Sequence, residues 1–304
     1  LVENRNQPGD IKKYNQIKMA VAVAFMAFIS FSIYSFLSVA KTDFIIGSKG
    51  FTEQHIIAGL FAAELENAGF EVDQRLGLGS EVIYSATANG AVDVYLEYTG
   101  TVWANRMNES GNPGRESIKT EVFNYIENKD GMIGVGTLGF QNLYALAMKK
   151  DRAEELGVDT IEDIVPIARS LTAAGDLEFF GRPEWVALRE MYDIDFAQKL
   201  TFDPALMYTA VDDQQVDIIA AYTSDGRVAA YNLKILDDPR NAFLPYDGFI
   251  IASSSAAKND VFVETMESLV DNISDEEIRE ANKIVDVDGG SISDAVQYLQ
   301  GVIQ

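Results

Sequence analysis

No cysteine occurs among the 304 residues. Its absence excludes disulfides, thiolate nucleophiles, Cys-ligated metals and the lipid-bearing cysteine of a bacterial lipoprotein. Any membrane attachment must therefore come from the peptide itself. Histidine is almost absent too, since His55 stands alone. With no second His, no HExxH and no GxSxG, the parts for metal hydrolysis and triad chemistry are missing. Nothing singles out a carboxylate pair, so no catalytic residue, metal or cofactor is assigned, and His55 reads as a helix-surface or helix-start residue. Positive charge is scarce: 24 Lys and Arg face 47 Asp and Glu, for a net charge of −23. So acidic a chain repels phosphate backbones and anionic lipid surfaces, which argues against nucleic acid as a partner. The acidity reads as a solubility device.

The few cations are unevenly placed. Residues 1–40 carry Arg5, Lys12, Lys13 and Lys18 against Glu3 and Asp10, a local charge of +2 that leaves −25 for the remainder. Residues 19–40 are 22 consecutive uncharged residues, mostly Ala, Val, Phe, Ile and Leu. At roughly 1.5 Å per residue that is enough helix to cross the hydrocarbon core. Lys12, Lys13 and Lys18 precede it, so the positive-inside bias places residues 1–18 in the cytoplasm and the acidic body outside the cell membrane. A cleavable signal peptide is the rival reading, with Ser38-Val39-Ala40 as its small-residue site. The apolar stretch is longer than a usual signal core and the chain does not begin with Met, so a retained anchor is preferred. The polar stretch 3–10 adds the expectation of a longer polypeptide upstream, such as another membrane segment.

Beyond the anchor, a hydrophobic content of 47% supports a sizeable core. Residues 44–47 read as a strand. Thr52 is placed to cap a helix in which Ile56, Ile57, Leu60, Phe61 and Leu65 recur at helical spacing until Gly69 stops it. Strands at 70–73 and 92–96 and helices at 81–89 and 116–128 continue an α/β rhythm. After Gly131 the grammar restarts. An apolar run at 143–148 precedes a short helix near Ala153, a strand at 177–180 and helices at 183–191 and 204–211. A strand at 216–220 and a helix around Arg227 follow. The end of the chain reads as a strand at 249–252 and two amphipathic helices at 278–285 and 292–303. Two lobes with a cleft between them are implied, with no internal repeat.

Ligands of open α/β sheets sit beyond the carboxyl ends of strands, and that is where the chemistry-bearing residues fall. Tyr98, Tyr144, Tyr222 and Tyr246 lie just beyond or at the start of short apolar runs. Lys49 and Arg182 fall in Gly- or Pro-flanked turns. Aromatic faces attract a quaternary ammonium with roughly 0.5–2 kcal/mol per ring, while Lys or Arg takes a carboxylate. Such a set suits a small zwitterion; the alternative is ordinary half-buried tyrosines with satisfied hydroxyls. The turn Gly47-Ser48-Lys49-Gly50 leads into a helix N-terminus, whose free N–H groups favour an anion. It lacks the spacing of a nucleotide-binding loop. Tyr98 and the Thr101 hydroxyl share one strand tip, and Pro245 fixes the turn that carries Tyr246.

The strings GSKGFTEQ, DVYLEYTGT, FDPALMYTAVDDQQVDIIAAYTSDGRVAAYNL and LPYDG closely resemble the substrate-binding proteins of ABC importers for glycine betaine, carnitine and choline. The resemblance runs from about residue 42 to residue 303. It implies a two-lobed periplasmic-binding-protein fold, type II-like, preceded here by the one N-terminal transmembrane helix. Lobe 1 would comprise residues 41–142 and 247–304, and lobe 2 residues 143–246. It further implies a tyrosine cage of Tyr98, Tyr144, Tyr222 and Tyr246 for a quaternary ammonium group, with Lys49, Thr101 and Arg182 as carboxylate partners. The implied partners are an ABC permease, either separate or fused upstream, and its ATPase, serving osmoprotection. Two places depart from the family pattern: Gln141-Asn142-Leu143-Tyr144 where relatives often read Asn-Asn-Thr-Tyr, and Gly248-Phe249-Ile250 after Tyr246 and Asp247 where Ala-Ala-Pro is common.

Charge balance bears on the choice of ligand. If Lys49 and Arg182 await a carboxylate, choline leaves buried positive charge uncompensated, at a cost of several kcal/mol. Glycine betaine or a close betaine is then expected ahead of carnitine, and choline last. A choline- or carnitine-preferring binder and a sensing ectodomain that signals rather than imports are the alternatives.

Overall fold

In a computed structural model, Met19 and residues 42–109, 111–177 and 179–303 are described. Apart from Met19, the expected anchor at 19–40 lies outside the described residues. No helix among the described residues is long and apolar enough to cross a membrane.

From Phe44 onward the chain alternates strand and helix. The order is β1 (Phe44–Gly47), α1 (Thr52–Asn67), β2 (Val72–Arg75), α2 (Ser80–Ala88), β3 (Val94–Tyr98), α3 (Arg115–Asp130) and β4 (Ile133–Gln141). There follow β5 (Tyr144–Lys149), α4 (Lys150–Leu156), α5 (Ile161–Ile164), β6 (Thr172–Gly175), α6 (Pro183–Tyr192), β7 (Gln198–Thr201), α7 (Pro204–Asp212), β8 (Ile218–Tyr222), α8 (Gly226–Ala230) and β9 (Leu233–Ile235). The last elements are β10 (Asp247–Ala252), α9 (Asp260–Glu267), α10 (Asp275–Asp286) and α11 (Ile292–Val302). Two mixed five-stranded sheets result, in the orders β2-β1-β3-β10-β4 and β7-β6-β8-β5-β9. This is the two-lobed α/β fold, and both sheets belong to the one compact unit that begins at Phe44.

The sheets share a plan. In the first, β2, β1 and β3 run parallel and β10 runs against both β3 and β4. In the second, β7, β6 and β8 run parallel and β5 runs against both β8 and β9. The reversed strand is in each case the one that enters from the other sheet. Its first residues therefore lie beside the carboxyl ends of the parallel strands, where a ligand site is expected. β3 and β10 are buried along their whole length, as strands covered on both faces must be. One face of the first sheet packs Ile56, Leu60, Phe61 and Leu65 of α1, and the other packs Ile118, Val122 and Ile126 of α3.

Three local expectations need correction. Thr52 does not cap α1: the cap position belongs to Phe51 and makes no side-chain bond, while the Thr52 hydroxyl donates to Asp286 Oδ1 at 2.6 Å. The strand expected at 177–180 is instead β6 at Thr172–Gly175, followed by a 3-10 turn, Phe179–Gly181. Phe179 packs on Gly175, where an added Cβ would meet the Phe179 ring at 2.9 Å, and Leu177 is 76% exposed. The apolar residues there close a turn rather than pair in a sheet. β4 was not anticipated, because its glycines dilute the apolar pattern. They are needed for close packing: a Cβ on Gly136 would stand 2.5 Å from Val270, and one on Gly134 would stand 3.0 Å from the Phe123 ring.

Candidate ligand-binding site

A cleft of about 760 Å³ opens where the strand ends of both sheets meet, and all seven residues singled out from the sequence line it: Lys49, Tyr98, Thr101, Tyr144, Arg182, Tyr222 and Tyr246. The topology accounts for the convergence. Tyr98 and Tyr222 end β3 and β8, Tyr144 begins β5, and Tyr246 immediately precedes β10. Tyr144 and Tyr222 are register partners on neighbouring antiparallel strands. Their ring centroids are 4.8 Å apart and their hydroxyls 3.0 Å apart.

On the first-sheet side, the turn after β1 is fixed by Gln54, whose Oε1 accepts from the Lys49 backbone N–H at 3.0 Å while its Nε2 donates to Leu96 O at 2.8 Å. Tyr246 is seated on the helical turn Thr99–Thr101 that follows β3. Gly100 permits this, because a Cβ there would come within 2.8 Å of both Pro245 O and the Tyr246 ring. Burial, with Glu184 nearby, pushes the Tyr246 phenol up to about 12.

Both cations singled out from the sequence are already paired. Lys49 Nζ makes a buried ion pair with Glu97, the two side chains being 8% and 2% exposed. Arg182 Nε lies 3.1 Å from Glu184 Oε2. Each also sits over a tyrosine ring, Lys49 5.2 Å from the centroid of Tyr98 and Arg182 5.2 Å from that of Tyr144. This corrects the premise for ranking choline last. Glu97 and Glu184 balance these charges without a ligand carboxylate, so a ligand lacking one does not strand two buried cations.

Sequence reasoning passed over two carboxylates in the cleft. Asp176, 6% exposed, follows β6 directly, and its Oδ2 accepts from the hydroxyls of Tyr144 at 2.5 Å and Tyr222 at 2.7 Å. Placing the strand at 177–180 hid it; the Gly-Asp step that ends the short run Thr172–Gly175 was the available signal. Glu53, in the first turn of α1, is 3% exposed. It accepts from the Tyr98 hydroxyl, from Asn142 Nδ2 at 3.1 Å and from Asn282 Nδ2 at 3.2 Å. Asn282 also donates to Ser224 O at 2.8 Å, beyond β8 of the other sheet. Burial raises the Glu53 carboxyl above its ordinary range, against the opposing effect of its hydrogen bonds. Arg227 and Asp225, in a string already noted for its tyrosine, complete the second-sheet wall as an ion pair of 3.4 Å.

Residues 43–299 match the family model described as the substrate binding domain of the ABC-type glycine betaine transport system. The chain belongs to this family. Members of the glycine betaine transport family bind solute outside the cytoplasm for an ABC importer of quaternary ammonium compounds and do not transform it. The carnitine transport binding protein OpuCC of Listeria monocytogenes is 29% identical over 249 residues, 80% of this chain and 81% of that protein. The ergothioneine transport permease/ergothioneine binding protein EgtU of Helicobacter pylori is 26% identical over 255 residues, covering 82% of this chain and 46% of that one. Among solved structures, that of a glycine betaine/carnitine/choline ABC transporter superposes with a TM-score of 0.81 at 22% identity, covering 85% of this chain and 98% of the other.

Proposed function

We propose that this protein captures a betaine, glycine betaine or a close relative, and delivers it to an ABC permease for osmoprotection. The observation that carries the reading is the convergence of Tyr98, Tyr144, Tyr222 and Tyr246, drawn from both sheets, with Lys49, Thr101 and Arg182 in one cleft. The tyrosine rings would hold the quaternary ammonium. Lys49, Thr101 and Arg182 would take the carboxylate, Lys49 and Arg182 exchanging part of their hold on Glu97 and Glu184 for it. In this reading lobe 1 comprises residues 41–142 and 247–304, lobe 2 comprises residues 143–246, and the chain crosses between them at 142–143 and 246–247. Closure of the lobes draws on affinity that differs between open and closed states.

Residues 19–40 would hold the body at the outer face of the membrane. The joint permease and binding protein named for the Helicobacter pylori relative supports a membrane-bound arrangement. Calorimetric titration with glycine betaine, proline betaine, carnitine, choline and a plain amino acid tests the ligand. Betaines should bind most tightly and the amino acid not at all. Tightest binding of choline or carnitine would overturn the betaine preference, and binding of the amino acid alone would overturn the quaternary ammonium reading.

A further inference from the structure

We propose that Asp176 is the specificity-determining anion of the cleft, turning the bound ligand so that its cationic end lies against the second sheet. The inference rests on the quaternary ammonium reading above and adds to it a residue and an orientation. In the second sheet the strands β6, β8 and β5 are consecutive neighbours. Their cleft-side tips carry, in that order, Asp176, Tyr222 and Tyr144. Asp176 is thereby built into the cage: Oδ2 takes both phenol protons and Oδ1 accepts from the Phe179 backbone N–H at 3.0 Å.

An ionised carboxylate only accepts hydrogen bonds. Both phenols therefore direct their protons at Asp176, which sets two electron-rich rings beside one negative charge, an arrangement that favours a cation next to them. A formal negative charge next to two electron-rich rings attracts a permanent ammonium more strongly than the rings do alone. In the first sheet the corresponding neighbours β1, β3 and β10 carry Lys49, Tyr98 and Tyr246. The first wall thus sets Lys49, with Glu97 as its partner, where the second sets Asp176, while Arg182 stands 5.2 Å from the centroid of the Tyr144 ring; the ammonium of a zwitterion is then drawn to Asp176 and its carboxylate to Lys49 and Arg182.

The test is calorimetric titration of the wild-type protein, Asp176→Asn and Asp176→Glu with glycine betaine and choline, with a thermal melt of each protein. Asparagine keeps one oxygen to accept from the tyrosines but loses the charge and the second acceptor that meets the Phe179 N–H. Asp176→Asn should weaken choline at least tenfold and glycine betaine less, because the zwitterion's own carboxylate is relieved of repulsion. Asp176→Glu should keep the wild-type ratio between the two ligands. Equal losses for both ligands in Asp176→Asn, or unchanged affinities, would overturn the inference while leaving the quaternary ammonium reading intact. A wild-type protein that binds neither ligand would overturn both. If Asp176→Asn does not fold, the Asp176→Glu ratio decides: a shift beyond threefold overturns the proposal, and retention supports it.

Discussion

The two sheets are built to one plan and differ in the charge set beside their tyrosines. Each has three parallel strands and a reversed fourth, and each places one tyrosine at the end of its third parallel strand and another at the start of the reversed one. Beside these pairs the first sheet sets Lys49, two residues beyond β1, and the second sets Asp176, one residue beyond β6. The difference teaches that topology fixes where the tyrosines meet, whereas the side chains in the neighbouring turns fix which charges they meet. The walls also differ in what supports them. Lys49 is locked in a buried pair with Glu97, while Asp176 is held by the cage tyrosines themselves. Losses on the first side should therefore appear in folding as well as in binding, and losses on the second side chiefly in binding.

The largest effect should come from Lys49→Ala, which leaves Glu97 as an unpaired charge 1% exposed. Breaking one partner of a buried pair costs about 3–5 kcal/mol, measurable by urea unfolding, and Lys49→Ala/Glu97→Ala should recover most of it. In any folded Lys49→Ala protein, glycine betaine should lose more affinity than choline, and equal losses would remove Lys49 from the carboxylate site. Next in size is Gly226→Ala. Its Cβ would stand 2.3 Å from the Lys283 backbone N, where α8 of one sheet's layer meets α10 of the other's. Overpacking of this kind costs about 1–3 kcal/mol, and it should lower ligand affinity by forcing the two walls apart, a loss that calorimetry would register.

Tyr222→Ala should weaken betaine binding at least tenfold, about 1.4 kcal/mol, with a smaller change in melting temperature than Lys49→Ala. Unchanged affinity would take Tyr222 out of the cage. The smallest effect concerns Glu53. Burial raises its carboxyl above the ordinary value of 4.5, so the folded protein binds a proton that the unfolded chain releases. Stability from this group is then greatest at low pH and declines as pH rises from 4.5 toward the raised value. Glu53→Gln should flatten that decline in melting temperature; an unaltered slope would show that Glu53 does not cause it.

Much of the site could be read from the chain because it lies where apolar runs stop. Tyr98 and Tyr222 follow buried runs whose ends are plain in the sequence, and the Gly-flanked Lys49 precedes a helix that Gly69 stops with a φ of +94°. What escaped did so for identifiable reasons. Glycines in β4 are dictated by Val270 and Phe123 on distant helical segments, so no local pattern marks the strand. The residues after β6 look like a strand yet fold into a turn, because Phe179 finds its packing partner in Gly175 and its backbone donor finds Asp176.

The sequence by itself determined the class of element, the family and seven residues that the cleft brings together, because these depend on periodicity, turn chemistry and motifs only a few residues long. Tertiary structure alone decided how charge is shared within the cleft. Glu97 lies 48 residues from Lys49 and Asp176 lies 46 from Tyr222. Such pairs are set by which strands become neighbours in a sheet, a long-range outcome that no local stretch of chain encodes.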